Sequence, residues 1–332
     1  MKTVVIAGRV LKAVGYGCMG LSQGYEPCDR SQAIETLNSV LDMGYDHLDT
    51  AALYGFGANE ELLNEAIGHR RHEYFLASKC GLFKNADGVR EINGRPDVIR
   101  RTCEDSLRRL GTDHIDLYYL HRKDPKIPIE ESVGALSRLK EEGHIGAVGL
   151  SEVAPDTLRK AIEVTQISAL QSEYSLWTRN PEGELLGLCN KHNITLVAYS
   201  PVARGFLADQ VLQLEDLGEK DLRRTMPRFQ GQNFSANQVV LSRLISFCVQ
   251  EGISVSQAAL AWLLAQNTSI APIPGTRFKH HALENFEAGE LSLDPEMLRT
   301  IGEIFSPETI AGERYNDTIM REVDAEKHRF QA

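Results

Sequence analysis

The chain contains no Cys-x-x-Cys, no His-x-His, no block of five like charges and no apolar run long enough to cross a bilayer. Each absence removes a class of function. Six cysteines, Cys18, Cys28, Cys80, Cys103, Cys189 and Cys248, stand far apart with no histidine at zinc spacing. Neither a disulfide framework nor a structural zinc site is expected, and a reducing, cytoplasmic setting fits best. The opening segment Met1–Arg9 carries an apolar stretch of only five residues, too short for a secretory core. Basic residues are also few: 36 Lys and Arg against 46 Asp and Glu leave a net charge of −10. Such a surface repels polyanions, so nucleic acid and membranes are not expected partners. At 42% hydrophobic and 25% charged, the remaining composition is that of a folded chain rather than a disordered one.

What is present is repetition. Eight short strand-like runs read Ala13–Cys18, Asp46–Asp49, Tyr74–Lys79, Ile115–His121, Ile145–Ser151, Ala169–Glu173, Thr195–Tyr199 and Ile270–Pro274. Segments between them show apolar residues three and four apart, such as Ala33, Leu37, Val40, Leu41 and Ile99, Cys103, Leu107, Leu110. Asp29 and Asn59 are placed to cap helices, the second over Glu60–Ile67, and Pro155 falls in a first helical turn. Gly44, Gly68, Gly111 and Gly143 fall where helices should stop. Strand then helix eight times over predicts a (β/α)8 TIM barrel forming a single domain over residues 1–332. Roughly seventy residues separate strands seven and eight, where about thirty suffice. The excess predicts a long loop, 207–237, before a helix at Gln238–Gln250, and residues 294–332 read as a C-terminal helix and polar tail.

In such a barrel chemistry sits at the C-terminal strand ends. Those ends carry Asp49, Lys79, His121, Ser151, Gln171, Glu173 and Tyr199, with Tyr54 just after Asp49. A phenol has a pKa near 10, and an adjacent ammonium favours its ionised form. Lys79 supplies that charge, Asp49 holds Lys79, and His121 hydrogen-bonds the same oxygen or a carbonyl. The unit reads as a proton donor for an oxygen gaining negative charge. Singly, such a Lys–Asp pair is most often structural, and Lys79 could equally form a Schiff base in an aldolase. Gly15-Tyr-Gly-Cys-Met-Gly20 matches Gly-x-Gly-x-x-Gly, but no helix opens after it, so a Rossmann reading fails.

Asp46-His-Leu-Asp49-Thr-Ala-Ala-Leu-Tyr54-Gly resembles the aldo-keto reductase signature, and Leu76-Ala-Ser-Lys79 and Asp116-Leu-Tyr-Tyr-Leu-His121 resemble its Lys and His strands. Gly17-Cys-Met-Gly20, Gly146-Ala-Val-Gly-Leu-Ser151, Gln171-Ser-Glu, Ala198-Tyr-Ser-Pro201 and Ile273-Pro-Gly-Thr-Arg277 follow in family order. The resemblance implies an NADPH-dependent oxidoreductase that reduces aldehydes or ketones, reversibly, without a Rossmann domain. It implies Tyr54 as general acid, Lys79 and Asp49 as its tuning pair and His121 as the carbonyl-orienting residue. It also implies Ser151 and Gln171 on the nicotinamide carboxamide, Tyr199 stacked on its ring, and Ser200, Arg204 and Gly205 along the pyrophosphate. Gly275, Thr276, Arg277 and Lys279 would meet the 2′-phosphate, with Glu284 and Asn285 near the adenine.

Three positions depart from the family pattern: Glu152 stands where many members have Asn, Ala203 where Gly is common, and Gly275-Thr276 where Lys-Ser is common. The phosphate then falls to Arg277, Lys279 and His281, Arg277 being able to grip it through two donors. In an acidic chain these cations, with Arg204, are expected to cluster. A second reading is a nucleotide-binding regulatory subunit resembling the β subunits of voltage-gated potassium channels; the short segment before the first strand weighs against it. Tyr25, Phe56, Trp177 and the 207–237 stretch are as readily core or lid packing as pocket lining, and aromatic aldehydes, pyridoxal and cyclic ketones are all compatible substrates.

Overall fold

The computed structural model describes residues 1–26, 28–84, 89–209, 212–266 and 269–326; positions 210 and 211 of the expected loop and 327–332 of the expected tail lie outside them. Eight parallel strands form one sheet in chain order: β1 (Tyr16–Gly17), β2 (His47–Asp49), β3 (Phe75–Cys80), β4 (Ile115–Leu120), β5 (Ile145–Ser151), β6 (Ile167–Glu173), β7 (Thr195–Tyr199) and β8 (Ile270–Pro272). The two ends of the sheet meet through Gly15 N to Pro272 O at 2.9 Å and Gly17 N to Pro274 O at 3.1 Å. That approach needs glycine, because a Cβ on Gly17 would lie 2.7 Å from Ile273 O. The Gly-x-Gly of the opening therefore closes a barrel.

Strand periodicity sorts the core in two. Leu76, Tyr118, Leu120, Val148, Leu170 and Leu196 face outward onto Leu37, Leu63, Leu107, Leu136, Leu158 and Leu188 of the helices α1 (Arg30–Asp42), α2 (Ala58–Ile67), α3 (Pro96–Leu110), α4 (Ile129–Glu141), α5 (Pro155–Val164) and α6 (Glu184–His192). Phe75, Ala77, Leu117, Tyr119, Ala147, Ala169, Val197 and Ala271 fill the lumen. An N-terminal hairpin, Thr3–Ile6 paired with Arg9–Lys12, plugs that lumen with Val4, Ile6 and Leu11. Its turn, with Ala7 and Gly8 both at positive φ, was not anticipated from Met1–Arg9. Gly149 is required by the lumen packing, since a Cβ there would run into the Tyr119 ring.

Period two also decides where chemistry goes. Phe75 and Ala77 face the lumen, so Lys79 must; Leu117 and Tyr119 carry His121 with them; Ala169 carries Gln171. In-register pairing sets Gln171 beside Ser151 and Lys79 beside Tyr119.

Several expected boundaries change. Asp29 does cap α1, accepting from Ser31 N and Gln32 N, Gly111 ends α3 at φ 62°, and Pro155 opens α5. Asn59, expected as a cap, lies inside α2, which starts at Ala58 behind Gly57. Gly68 does not stop α2 in the left-handed region; at φ −57° it continues into a 3-10 turn, Gly68–Glu73. The helix expected from residue 238 is α7 (Gly231–Glu251), which shortens the loop: Phe234 and Asn237 are buried among polar neighbours that mask the helical period. After it, α8 (Val255–Leu264) covers the barrel, α9 (Lys279–Glu287) follows β8, and α10 (Pro295–Ile304) lies outside. Among the described residues no single helix is long and apolar enough to cross a membrane.

The tail is the largest correction. Residues 307–326 fold back over the strand ends and bury Arg314, Tyr315, Asp324 and Glu326. Asn237 pins this segment through both ends of its amide, to Ala311 N and Ala311 O, each at 2.9 Å. Buried ion pairs, described below, replace the apolar pattern that sequence reading looks for.

Candidate active site

Lys79 is 0% exposed. Its ammonium is ion-paired to Asp49 Oδ1 and donates to Thr50 O at 2.8 Å and to the Tyr54 hydroxyl at 3.3 Å. Because Lys79 is the donor, the Tyr54 hydroxyl keeps its own proton to give elsewhere. Asp49 is held from its other oxygen by Gln171 Nε2 at 2.8 Å. The His121 ring meets the Tyr54 ring edge-on with centroids 5.9 Å apart.

Tyr54 sits on a turn, Tyr54–Gly57, in which Gly55, Phe56 and Gly57 are all left-handed. Phe56 is the costly member, being a non-glycine at φ 56°. What holds the turn is Gln23, whose Oε1 accepts from Gly55 N at 2.9 Å. Asn59 ties the neighbouring loops, donating to Cys18 O at 2.9 Å and Ser22 Oγ at 2.8 Å while accepting from Thr50 Oγ1 at 2.6 Å. Thr50 in turn presents its carbonyl to Lys79, so Asn59 supports the site from outside it. From local sequence alone Asn59 reads only as a helix cap.

The electrostatics correct one expectation. Burial pushes the Tyr54 phenol up, and Lys79 offsets only part of that, so its pKa is raised, not lowered. The phenol therefore keeps its proton at rest. Burial opposes the charge on Lys79, yet Asp49 and then Tyr54 outweigh it and raise the ammonium's pKa. A lysine held cationic this way is in the wrong state to attack a carbonyl and form a Schiff base. Burial, Arg122 and Lys79 drive His121 well below the ordinary imidazole range, leaving a neutral ring. Five of the six free thiols are buried, and burial raises Cys103, Cys189 and Cys248 to about 12. Among the described residues no His, Cys, Asp or Glu group could hold a metal ion.

The residues assigned by resemblance to a nucleotide follow the rim. Ser151 Oγ accepts from Arg122 at 3.2 Å and retains its proton; Gln171, its amide nitrogen committed to Asp49, offers its carbonyl oxygen. This donor and acceptor pair fits a carboxamide. Tyr199 is half-buried and its hydroxyl lies 2.9 Å from that of Tyr315. After β7 the backbone turns through left-handed residues at Ser200, Ala203, Arg204 and Gly205, and the amides of Ala203, Gly205 and Phe206 are taken up within the turn by the carbonyls of Ser200, Val202 and Ala203. The Arg204 side chain is directed to Glu173 Oε2 at 3.0 Å and the Tyr315 hydroxyl at 2.7 Å. After β8, Gly275 packs on Gly17, Thr276 accepts from Phe278 N at 3.1 Å, and Arg277 donates to Glu26 O at 2.8 Å. Lys279 pairs with Glu35 at the surface, Glu284 accepts from Ser256 at 2.8 Å, and Asn285 is buried. Arg204 and Lys279 thus each have a carboxylate partner rather than forming one shared cluster.

Glu152, the departure after strand five, is turned away from this pair. Arg314 grips it at 3.1 and 2.7 Å, and it also accepts from Glu173 N at 2.8 Å. Burial raises the Glu152 carboxyl, but Arg314 prevails and holds it at about 2. Trp177 stacks on Phe206 with centroids 4.1 Å apart and is core, Phe56 is exposed, and Tyr25 lies under Arg223.

Comparison with known proteins follows the same lines. Residues 13–305 match the model of the Aldo/keto reductase family. The chain is 39% identical over 316 residues to the aldo-keto reductase yakc [NADP(+)] of Schizosaccharomyces pombe, covering 93% of each. It superimposes on the glycerol dehydrogenase of Gluconobacter oxydans with a TM-score of 0.84 at 29% identity, covering 92% and 95% of the two chains. An aldo-keto reductase of Klebsiella pneumoniae solved with NADPH matches with a TM-score of 0.72 at 26% identity, covering 95% and 98%. A closed barrel with Asp49, Tyr54, Lys79 and His121 at one rim, matched over nearly its whole length, places this chain in the aldo/keto reductase family.

Proposed function

We propose that this protein reduces aldehydes or ketones to alcohols with NADPH, with Tyr54 as the general acid. The observation that carries the reading is the Lys79 ammonium, fixed by Asp49 and donating to Tyr54 at 3.3 Å. When bound, the nicotinamide cofactor supplies a hydride to the carbonyl carbon. Ser151 and Gln171 would hold its carboxamide, Tyr199 its ring, the turn at Ser200–Gly205 its pyrophosphate, and Arg277 with Lys279 its 2′-phosphate. NADP(H) is the cofactor named for the Schizosaccharomyces pombe relative, which supports that choice.

The chain's own part is a proton transfer. Tyr54 and neutral His121 hydrogen-bond the carbonyl oxygen and polarise it. As that oxygen gains charge, Tyr54 passes it a proton, and the phenolate left behind is stabilised by Lys79. In the reverse direction the phenolate takes the alcohol's proton. Mixing the protein with NADPH and a panel of aldehydes and ketones, and following loss of the reduced cofactor's absorbance, tests the reading; no turnover on any of them would sink it.

A further inference from the structure

Arg122 follows His121 directly and leaves β4 at the rim, only 5% exposed. Its Nη1 donates to His121 O at 2.7 Å and to Ser151 Oγ at 3.2 Å. Nothing among the described residues engages the rest of the guanidinium: Nε is buried without a partner, and none of their carboxylates lies within ion-pairing distance of Arg122. Four other cations at this rim are matched by carboxylates, whereas Arg228, among the described residues, makes hydrogen bonds only to Gly312 O, Trp177 O and Thr178 Oγ1. Lys79 has Asp49, Arg90 has Glu322 at 2.8 Å, Arg204 has Glu173 at 3.0 Å, and Arg314 has Glu152 at 2.7 Å. Burial opposes the charge on Arg122, but Tyr199, Glu152 and Tyr315 favour it and raise its pKa; Glu152, the one carboxylate among them, already takes both its oxygens to Arg314.

Neighbours that favour the charge still leave its donors unclaimed, and buried donors of this kind are met in natural sites by a paired anion. The edge left open matters as well. With Nη1 tied to the protein and Nε buried, Nη2 is the donor left to meet an incoming carboxylate, with Nε beside it on the side of the fork that can take the second oxygen. The charge is close enough to the chemistry to be felt there, since it pulls on both the Tyr54 phenol and the His121 imidazole.

We propose that Arg122 binds a carboxylate on the substrate, so that the carbonyl compounds this site prefers are aldehydo or keto acids. This rests on the reductase reading above. It adds a specificity residue, one that distinguishes substrates rather than moving the proton.

The test compares 4-carboxybenzaldehyde with its neutral methyl ester, using the full-length protein and NADPH. The wild type should favour the acid by about tenfold or more in kcat/KM, chiefly through KM. Arg122→Gln should erase that preference, and Arg122→Lys, a point charge without the fork, should keep part of it. Equal loss on both substrates, or no preference in the wild type, overturns the proposal. So does a loss traced by fluorescence titration to weaker NADPH binding, which would assign Arg122 to the cofactor. If neither aldehyde is reduced, the reductase reading is judged separately on the wider panel of aldehydes and ketones. Calorimetric binding of 4-(hydroxymethyl)benzoate and its methyl ester to wild type and Arg122→Gln then still decides: acid-selective binding lost in the variant supports Arg122, and equal binding refutes it. Should Arg122→Gln not fold, Arg122→Lys decides instead: a reduced acid preference supports the proposal, and an unchanged one overturns it.

Discussion

Lys79 and Tyr54 meet with the ammonium nitrogen 3.3 Å from the phenol oxygen, and the ammonium is simultaneously fixed by Asp49 and Thr50 O. Burial keeps the phenol protonated at rest, while the cation beside it stabilises the phenolate once the proton leaves. The two effects oppose each other throughout: burial sets the resting protonation, and Lys79 limits the cost of any negative charge that develops on the phenol oxygen.

Replacing Tyr54 by Phe removes the proton and leaves the packing. Turnover of any accepted aldehyde should fall by about a hundredfold or more, roughly 3 kcal/mol of transition-state stabilisation, while NADPH binding persists. Steady-state rates together with fluorescence titration measure both; undiminished turnover would remove Tyr54 from the acid role.

Acid should weaken the fold through His47. Both its ring nitrogens are buried without partners, and burial pushes its pKa down to about 4. The unfolded chain takes up this proton near pH 6.5, whereas the folded one resists it until about pH 4. Stability from this group is therefore complete above pH 6.5 and is lost as pH falls toward 4, by about 3 kcal/mol in all. Neutral His121 adds a loss of the same sign. Urea unfolding between pH 7 and 4.5 should show a flatter pH slope in His47→Leu; an identical slope would mean another group titrates.

Arg314→Met leaves Glu152 buried and charged without its partner. We expect a loss of about 3–5 kcal/mol, and a smaller loss for Glu152→Gln combined with Arg314→Met, because removing both charges removes the uncompensated one. Chemical denaturation of the two variants decides. If the double variant is no more stable than the single one, the pair does not hold the C-terminal segment down.

Arg277 donates to Glu26 O across the junction between the β8 end and the residues preceding α1. If it also reads the 2′-phosphate, Arg277→Ala should weaken NADPH about tenfold or more beyond any effect on NADH. Paired titrations with the two cofactors test this, and equal weakening would leave Arg277 a structural residue.

Much of this molecule could be read before folding. Alternating strands with helices of period 3.6 defines the barrel, and period two alone sends Lys79, His121, Ser151 and Gln171 to one rim, because each lies two residues beyond a lumen-facing position. Local chemistry also marked Asp29 as a cap, whereas only the closed sheet shows that Gly17 lets the first strand meet the last. Other features depend on contacts between segments far apart in sequence. Arg314 meets Glu152 across 162 positions, and Arg204 meets Tyr315 across 111. No periodicity announces such pairs, since a buried ion pair in a loop looks, residue by residue, like a solvated one. Tertiary structure likewise reversed the expected direction for Tyr54: neighbours in a motif suggest a lowered pKa, but the depth of burial, a property of the whole barrel, sets the larger effect.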